Sequence, residues 1–172
     1  EDAIAQSLEA LEWLQAGGAK RFYFKYCSTF DSTDSGNIGP VAEALLNALG
    51  SDQAIACPAF PENGRTVFKG YLFAGDVLLN ESGMQDHPLT PMTDPNLVRV
   101  LARQSKSDVG LLDDWDIRQG AAVAKAKLEA LEADGKRLVI ADATDEADLR
   151  TLGEAAVDHR LLTGGSGLAV GM

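Results

Sequence analysis

Apolar residues recur at helical spacing at Ile4, Leu8, Leu11 and Leu14, and Gly17-Gly18 ends the pattern, which predicts a first amphipathic helix closed by a glycine cap. Residues 21–26 form an apolar β run, followed by a dense block of hydroxyls and carboxylates as far as Gly39-Pro40. Pro40 suits the first helical position, Val41, Leu45 and Leu49 with Ala44 and Ala48 make one apolar face, and Gly50 stops the helix. Residues 53–57 predict a second strand, broken by Pro58. Residues 66–73 and 77–81 read as two β runs around Ala74-Gly75-Asp76, a hairpin signal.

Residues 82–94, with His87, Pro88 and Pro91, form a long irregular connection, and Asp94-Pro95 caps a helix carrying Leu97, Val98 and Leu101. Residues 109–112 predict a third core strand. Ile117, Ala121, Ala124, Leu128 and Leu131 predict one long helix ending at Gly135. Residues 138–141 are an apolar strand ending in Asp142, Thr144 and Asp145 start a helix with face Leu149, Leu152 and Ala156, and residues 160–162 run into Thr163-Gly164-Gly165-Ser166-Gly167. The alternation predicts one α/β domain over residues 1–172: a mostly parallel sheet flanked by helices, with an antiparallel β-hairpin insertion.

Composition narrows the function. The 15 Lys and Arg face 26 Asp and Glu, a net charge of -11, which argues against nucleic acid or an anionic membrane surface as main partner. Cys27 and Cys57 follow apolar runs, give no zinc spacing and are expected to be small buried residues. No stretch approaches the roughly eighteen apolar residues of a membrane span and no signal peptide opens the chain, so a cytoplasmic protein is expected. Glu1 falls in a helix already under way, and Gly171-Met172 follow a turn that has launched a new element. The sequence therefore reads as a piece of a longer protein.

The polar block after the first strand is the richest candidate for chemistry. In an open α/β sheet the loops at the carboxyl ends of strands form the ligand crevice, and a following helix start favours an anion. An anionic, hydroxyl-rich ligand fits Ser28, Thr29, Ser32 and Thr33; so does a turn that bonds only its own backbone. Lys25, at the end of a strand expected to be buried, needs either an anionic ligand or an internal partner such as Asp31 or Asp34. His87 suits a general base, a substrate donor or an ordinary structural histidine. The glycine turn after residue 163 has the shape of an anion-binding turn or of a tight structural one, and it matches neither a Walker loop nor a dinucleotide fingerprint. Asp114 and Asp116 suit an aspartate nucleophile or, more simply, helix capping, as does Asp142. Two histidines exclude a multi-histidine metal site, and no nucleophile elbow supports a Ser/His/Asp triad.

Four motifs in order resemble the four-carbon acid sugar kinase family, with closest likeness to the 3-oxo-tetronate kinases. They are Phe24-Lys25-Tyr26-Cys27-Ser28-Thr29-Phe30-Asp31-Ser32-Thr33 with Gly36-Asn37-Ile38-Gly39-Pro40; Cys57-Pro58-Ala59-Phe60-Pro61-Glu62-Asn63-Gly64-Arg65; Asp86-His87-Pro88-Leu89-Thr90-Pro91-Met92; and Leu162-Thr163-Gly164-Gly165-Ser166-Gly167-Leu168-Ala169. The resemblance covers the family's amino-terminal substrate-binding domain. It implies a parent enzyme that uses ATP and Mg²⁺ to phosphorylate a four-carbon acid sugar such as 3-oxo-tetronate, with a homodimer as its candidate assembly. It implies an acid-sugar site lined by Lys25, Ser28, Asp31 and Asn37, extended by Arg65 and His87, with Gly164, Gly165 and Ser166 as backbone donors. Family members also begin with a strand carrying Asp-Asp-x-Thr-Gly, the expected source of the catalytic base, and continue into an ATP-holding domain. Neither is present in residues 1–172, so the domain is expected to be incomplete and inactive alone. The competing expectation is a non-catalytic sugar-acid binding or regulatory module.

Overall fold

The computed structural model describes residues 1–172. Helix α1 (Asp2–Ala16) leads into β1 (Phe22–Lys25), and α2 (Ile38–Leu49) connects to β2 (Ala54–Cys57). Next come β3 (Arg65–Phe68), β4 (Tyr71–Ala74) and β5 (Val77–Leu78), then α3 (Leu97–Gln104) and β6 (Val109–Leu112). The chain closes with α4 (Asp114–Arg118), α5 (Ala121–Ala133), β7 (Leu138–Ala141), α6 (Glu146–Ala155), β8 (Leu161–Gly164) and α7 (Ser166–Val170).

Five strands form a parallel sheet in the order β1-β8-β2-β7-β6, and β3-β4-β5 form a separate antiparallel sheet. Every residue of β2, β7 and β8 is buried, as expected of central parallel strands covered on both faces. Helices α1, α2 and α3 pack in one layer and α4 to α7 in another. The chain runs outward from β1 through β2 to β6 and returns through β7 to β8, so right-handed crossovers place the two layers on opposite faces. Leu46, Ile55, Ile140, Leu149, Leu152 and Leu162 have no exposed surface between the layers; each contributes about 1.5–3 kcal/mol of burial.

The insertion is larger than the predicted hairpin. Residues 66–73 are two strands folded at Lys69-Gly70, both with positive φ (51° and 76°). A lysine in this position carries a weak turn signal. The turn is held from outside: the Asp142 carboxylate at the end of β7 accepts from Lys69 N (2.7 Å) and Gly70 N (2.8 Å). The predicted second strand 77–81 is a strand only at Val77–Leu78 and then a 3₁₀ turn. Val67 pairs with Ala143 just beyond β7, which lays the small sheet across the carboxyl edge of the large one.

Other boundaries moved for local reasons. The predicted helix through residues 117–131 breaks at Gly120, with φ 98°. Helix α2 begins at Ile38, so Pro40 occupies its third position, where the N–H is still unpaired in any helix. Asn96 rather than Asp94 caps α3, accepting from Arg99 N at 3.0 Å. Strand β8 extends to Gly164, so the glycine turn starts one residue later.

Candidate functional site

The carboxyl ends of β1, β2 and β8 lie side by side. Lys25 is the register partner of Gly164, and Gly164 in turn of Cys57. The Tyr26 hydroxyl donates to Thr163 Oγ1 (3.0 Å), which donates to Ile55 O (3.0 Å), tying three strands together. The Tyr23 hydroxyl donates to Gly165 O at 2.6 Å. A Cβ at Gly165 would stand 2.6 Å from Pro58 O and 3.4 Å from the Ser28 Cα. Lys25, Ser28, Gly164, Gly165 and Ser166 therefore converge at adjacent strand ends. The neighbouring strands β1 and β8 send their following helices to opposite layers, which is the switch-point geometry at which open α/β sheets hold ligands.

Several expectations change in detail. Lys25 is exposed rather than buried, because β1 is an edge strand. Its Nζ has one long bond, to Tyr26 O at 3.4 Å. The internal partners considered for it are engaged elsewhere: Asp31 accepts from Thr29 Oγ1 (2.6 Å), and Asp34 pairs with Arg103 (2.9 Å). Cys27 is exposed because the strand ends two residues before it; Cys57 is buried, and burial pushes its thiol up to about 12. Gly164 lies inside β8, and the Gly165 N–H donates to Cys57 O (3.0 Å), so these glycines serve close backbone packing. Neither has a positive φ.

The loop after β1 is strained and clamped. Phe30 and Asp31 both have positive φ (64° and 39°), at a cost of about 1–3 kcal/mol each for non-glycine residues. Phe30 is 1% exposed and meets the Tyr26 ring edge-on at 5.4 Å. Beyond it, Ser32 N donates to Met92 Sδ (3.4 Å), Gln104 Nε2 donates to Ser32 Oγ and Thr33 O (both 3.0 Å), and Gln104 Oε1 accepts from Gly39 N (3.0 Å). Asn37 caps α2 by position only; its exposed side chain makes no cap bond.

Arg65 starts β3 of the insertion, and His87 lies in the connection that follows it. Arg65 pairs through its backbone with Phe60, whose Cα abuts Gly167 at the glycine turn. Its Nη1 donates to Asn63 O, while its buried Nε has no partner. His87 Nδ1 accepts from Thr90 N at 3.0 Å, so the neutral ring carries its proton on Nε2. His87 has no hydrogen bond to the Lys25 cluster; its segment meets the polar loop through Met92 and Ser32.

A cavity of about 310 Å³ lies between residues 32–35 and 91–94, with Arg103 in its wall. Arg103 is already neutralised by Asp34 (2.9 Å) and Asp94 (2.6 Å), so the cavity offers hydroxyls without a spare cation. The strand-end acids are structural. Asp113 caps α4, accepting from Asp116 N, and pairs with Lys69 (2.8 Å); Asp114 pairs with Arg118 (2.7 Å). Asp142 accepts three backbone N–H groups, from Lys69, Gly70 and Asp114. Burial nevertheless raises it to about 6, against the opposing pull of those bonds. No group of three or more His, Cys, Asp or Glu side chains gathers to hold a metal ion.

A model of the sugar-binding N-terminal domain family matches residues 1–172. The chain belongs to that family. The chain is 65% identical over 171 residues to the 3-oxo-tetronate kinase of Cupriavidus necator and 63% identical to that of Burkholderia multivorans, covering 99% of its own length in each case. It spans about 40% of the length of those kinases. Among solved structures, a Haemophilus influenzae protein matches with TM-score 0.97 and 52% identity, over 99% of this chain and 42% of that one. A Bordetella bronchiseptica domain of unknown function, crystallised with bound citrate as a domain-swapped dimer, matches with TM-score 0.77 and 30% identity over 99% of this chain and 40% of that one. The parallel sheet with flanking helices is thus the family's fold. No helix of the chain is long and apolar enough to cross a membrane.

Proposed function

We propose that residues 1–172 are the acid-sugar-binding domain of an ATP-dependent kinase that phosphorylates the terminal hydroxyl of 3-oxo-tetronate or a similar four-carbon acid in the cytoplasm. The observation that carries this reading is the placement of unpaired cations. Arg21, Arg137 and Arg160 precede strands, at the amino edge, and bond carbonyls at helix ends: Arg21 with Ala156 O, Arg137 with Ser51 O, Arg160 with Leu49 O. Lys20 and Lys106 also lie at that edge. At the carboxyl edge Lys25 and Arg65 have no carboxylate partner and only one local carbonyl each. In a chain of net charge -11, two cations without carboxylate partners at the edge that carries the hydroxyl-rich loop favour a small polyhydroxy anion.

In this reading Lys25 and Arg65 neutralise the acid's carboxylate and charge developing near it. Ser28, Asp31 and Asn37 bond its hydroxyls, and His87 presents Nε2–H as a donor. Gly164, Gly165 and Ser166 form the floor on which the acid rests. ATP with Mg²⁺ would supply the phosphoryl group; Asp113, Asp114 and Asp142 are bonded to backbone amides and cations of the fold, and we assign nucleotide, metal and catalytic base to the rest of the parent protein. That protein is a candidate homodimer.

The test is to present the full-length protein with ATP and a panel of four-carbon acids. ATP-dependent phosphorylation of 3-oxo-tetronate or a relative is expected, while residues 1–172 alone should bind the acid without turnover. Acid binding without turnover by the full-length protein would instead identify a non-catalytic sugar-acid module. Absence of acid binding would overturn both readings.

A further inference from the structure

The buried stripe of α3 is Leu97, Val100, Leu101 and Gln104, the spacing of one helix face. Three of the four are apolar core residues. At the fourth, where another leucine would fill the same face, the chain carries a side-chain amide that is only 9% exposed. Its bonds go to one segment. Gln104 Nε2 donates to Ser32 Oγ and Thr33 O (both 3.0 Å), and Oε1 accepts from Gly39 N (3.0 Å). That segment is the continuation of the strained Phe30-Asp31 turn and ends on Asn37 and the start of α2. Buried polar groups are tolerated when fully paired, and a paired network fixes one conformation of whatever it bonds.

We propose that Gln104 is a positioning residue for acid-sugar binding: its amide clamps residues 32–39 so that Asp31 and Asn37 are presented to the ligand in a fixed geometry, without itself touching the ligand. This rests on the reading of the β1 loop as the acid-sugar site. The clamp has two further supports. Met92 Sδ accepts from Ser32 N at 3.4 Å, and a side chain at Gly39 would collide with Ser105 Oγ and crowd Gln104, so α2 starts directly on the end of α3. Removing the amide frees the loop to leave its two positive-φ residues, and the binding geometry is lost with them.

A matched control exists within the fold. Gln53 is also buried (2% exposed), and its Nε2 donates to Leu128 O (3.2 Å) and Lys136 O (3.0 Å) at the amino edge, away from the loop. In the full-length protein Gln104→Leu is expected to raise the KM for the four-carbon acid at least tenfold, with the KM for ATP within twofold of wild type. Gln104→Glu, which keeps the acceptor for Gly39 N–H but loses the donor to Thr33 O, is expected to fall between. Gln53→Leu is expected to lower Tm by a comparable amount with acid KM unchanged. Amide hydrogen exchange over residues 30–37 should accelerate in Gln104→Leu alone. If Gln104→Leu loses only Tm, or Gln53→Leu raises acid KM as much, Gln104 is a structural residue and the inference fails while the site reading stands. If Gln104→Leu does not fold, Gln104→Glu decides by the same comparison. Failure of the wild type to bind any four-carbon acid overturns the site reading, and this inference with it.

Discussion

Replacing Lys25 by methionine separates a ligand role from a structural one. The ammonium is exposed, lies within 4 Å of no carboxylate and makes one 3.4 Å bond to Tyr26 O; an exposed substitution of this kind changes stability by about 0.5 kcal/mol or less. Methionine also keeps most of the apolar stem. If Lys25 meets the acid, the variant loses a charge-assisted hydrogen bond worth about 1.5–3 kcal/mol, which is roughly a 10- to 150-fold fall in kcat/KM. Steady-state kinetics of the full-length protein, run beside thermal unfolding, read both quantities. A neutral amide analogue of the acid sharpens the assay: its turnover should be nearly unaffected by Lys25→Met, because no carboxylate is present to lose the bond. The reasoning is refuted if Lys25→Met keeps near-normal kcat/KM for the acid, or if acid and amide suffer equally.

Gly165→Val should unfold or severely destabilise the domain, because its Cβ would meet the Pro58 carbonyl, whereas a Cβ at Gly75 meets no atom within 4 Å and Gly75→Val is strained by its positive φ; urea midpoints compare the two, and equal midpoints would contradict the packing argument. Asp142→Ala leaves one buried N–H donor, from Gly70, and two half-buried ones, from Lys69 and Asp114, without their acceptor, the buried one costing about 1–3 kcal/mol, and should loosen the small sheet, seen as faster hydrogen exchange at Lys69 and Gly70. With the folded pKa raised from 3.8 to about 6, the wild type's contribution from this carboxyl is full below pH 3.8 and is lost as pH rises through 6, by up to about 3 kcal/mol. Denaturant titrations at stepped pH should show this slope in wild type and a flatter one in Asp142→Ala; the same slope in both would place the titration elsewhere.

The alternation of strands and helices was legible because a parallel sheet covered on both faces needs continuous apolar strands, and residues 54–57 and 138–141 are such runs. What was not legible depends on partners distant in sequence. Lys69-Gly70 looked like strand interior because the acceptor that stabilises its two positive-φ amides, Asp142, lies 72 residues away from Gly70. Lys25 looked buried because periodicity does not say which strand takes the edge. Gln104 was invisible as a loop clamp: at the end of an apolar stripe it reads as a polar helix terminus, and only the approach of residues 32–39 gives it a role. The motif residues fared differently again. Gly164 and Gly165 are expected as backbone donors to a ligand, and the backbone they closely approach in the structure is that of residues 57–58.

The dipoles of the covering helices explain why free cations at one edge are informative. In a parallel α/β sheet the helices run opposite to the strands, so helix N-termini collect at the carboxyl edge and C-termini at the amino edge. Carboxylates are favoured at the first and cations at the second. The chain follows this rule for its structural charges: Asp113 and Asp145 cap α4 and α6, while Arg160 and Arg21 bond carbonyls ending α2 and following α6. Lys25 and Arg65 stand on the edge where the helix ends already attract anions, so the dipoles do not account for them. Their positive charges add to that attraction instead of offsetting it, and what the combination lacks is an anion. The carboxylates nearest in sequence to Lys25 are bonded to Thr29 and Arg103, so neither neutralises it.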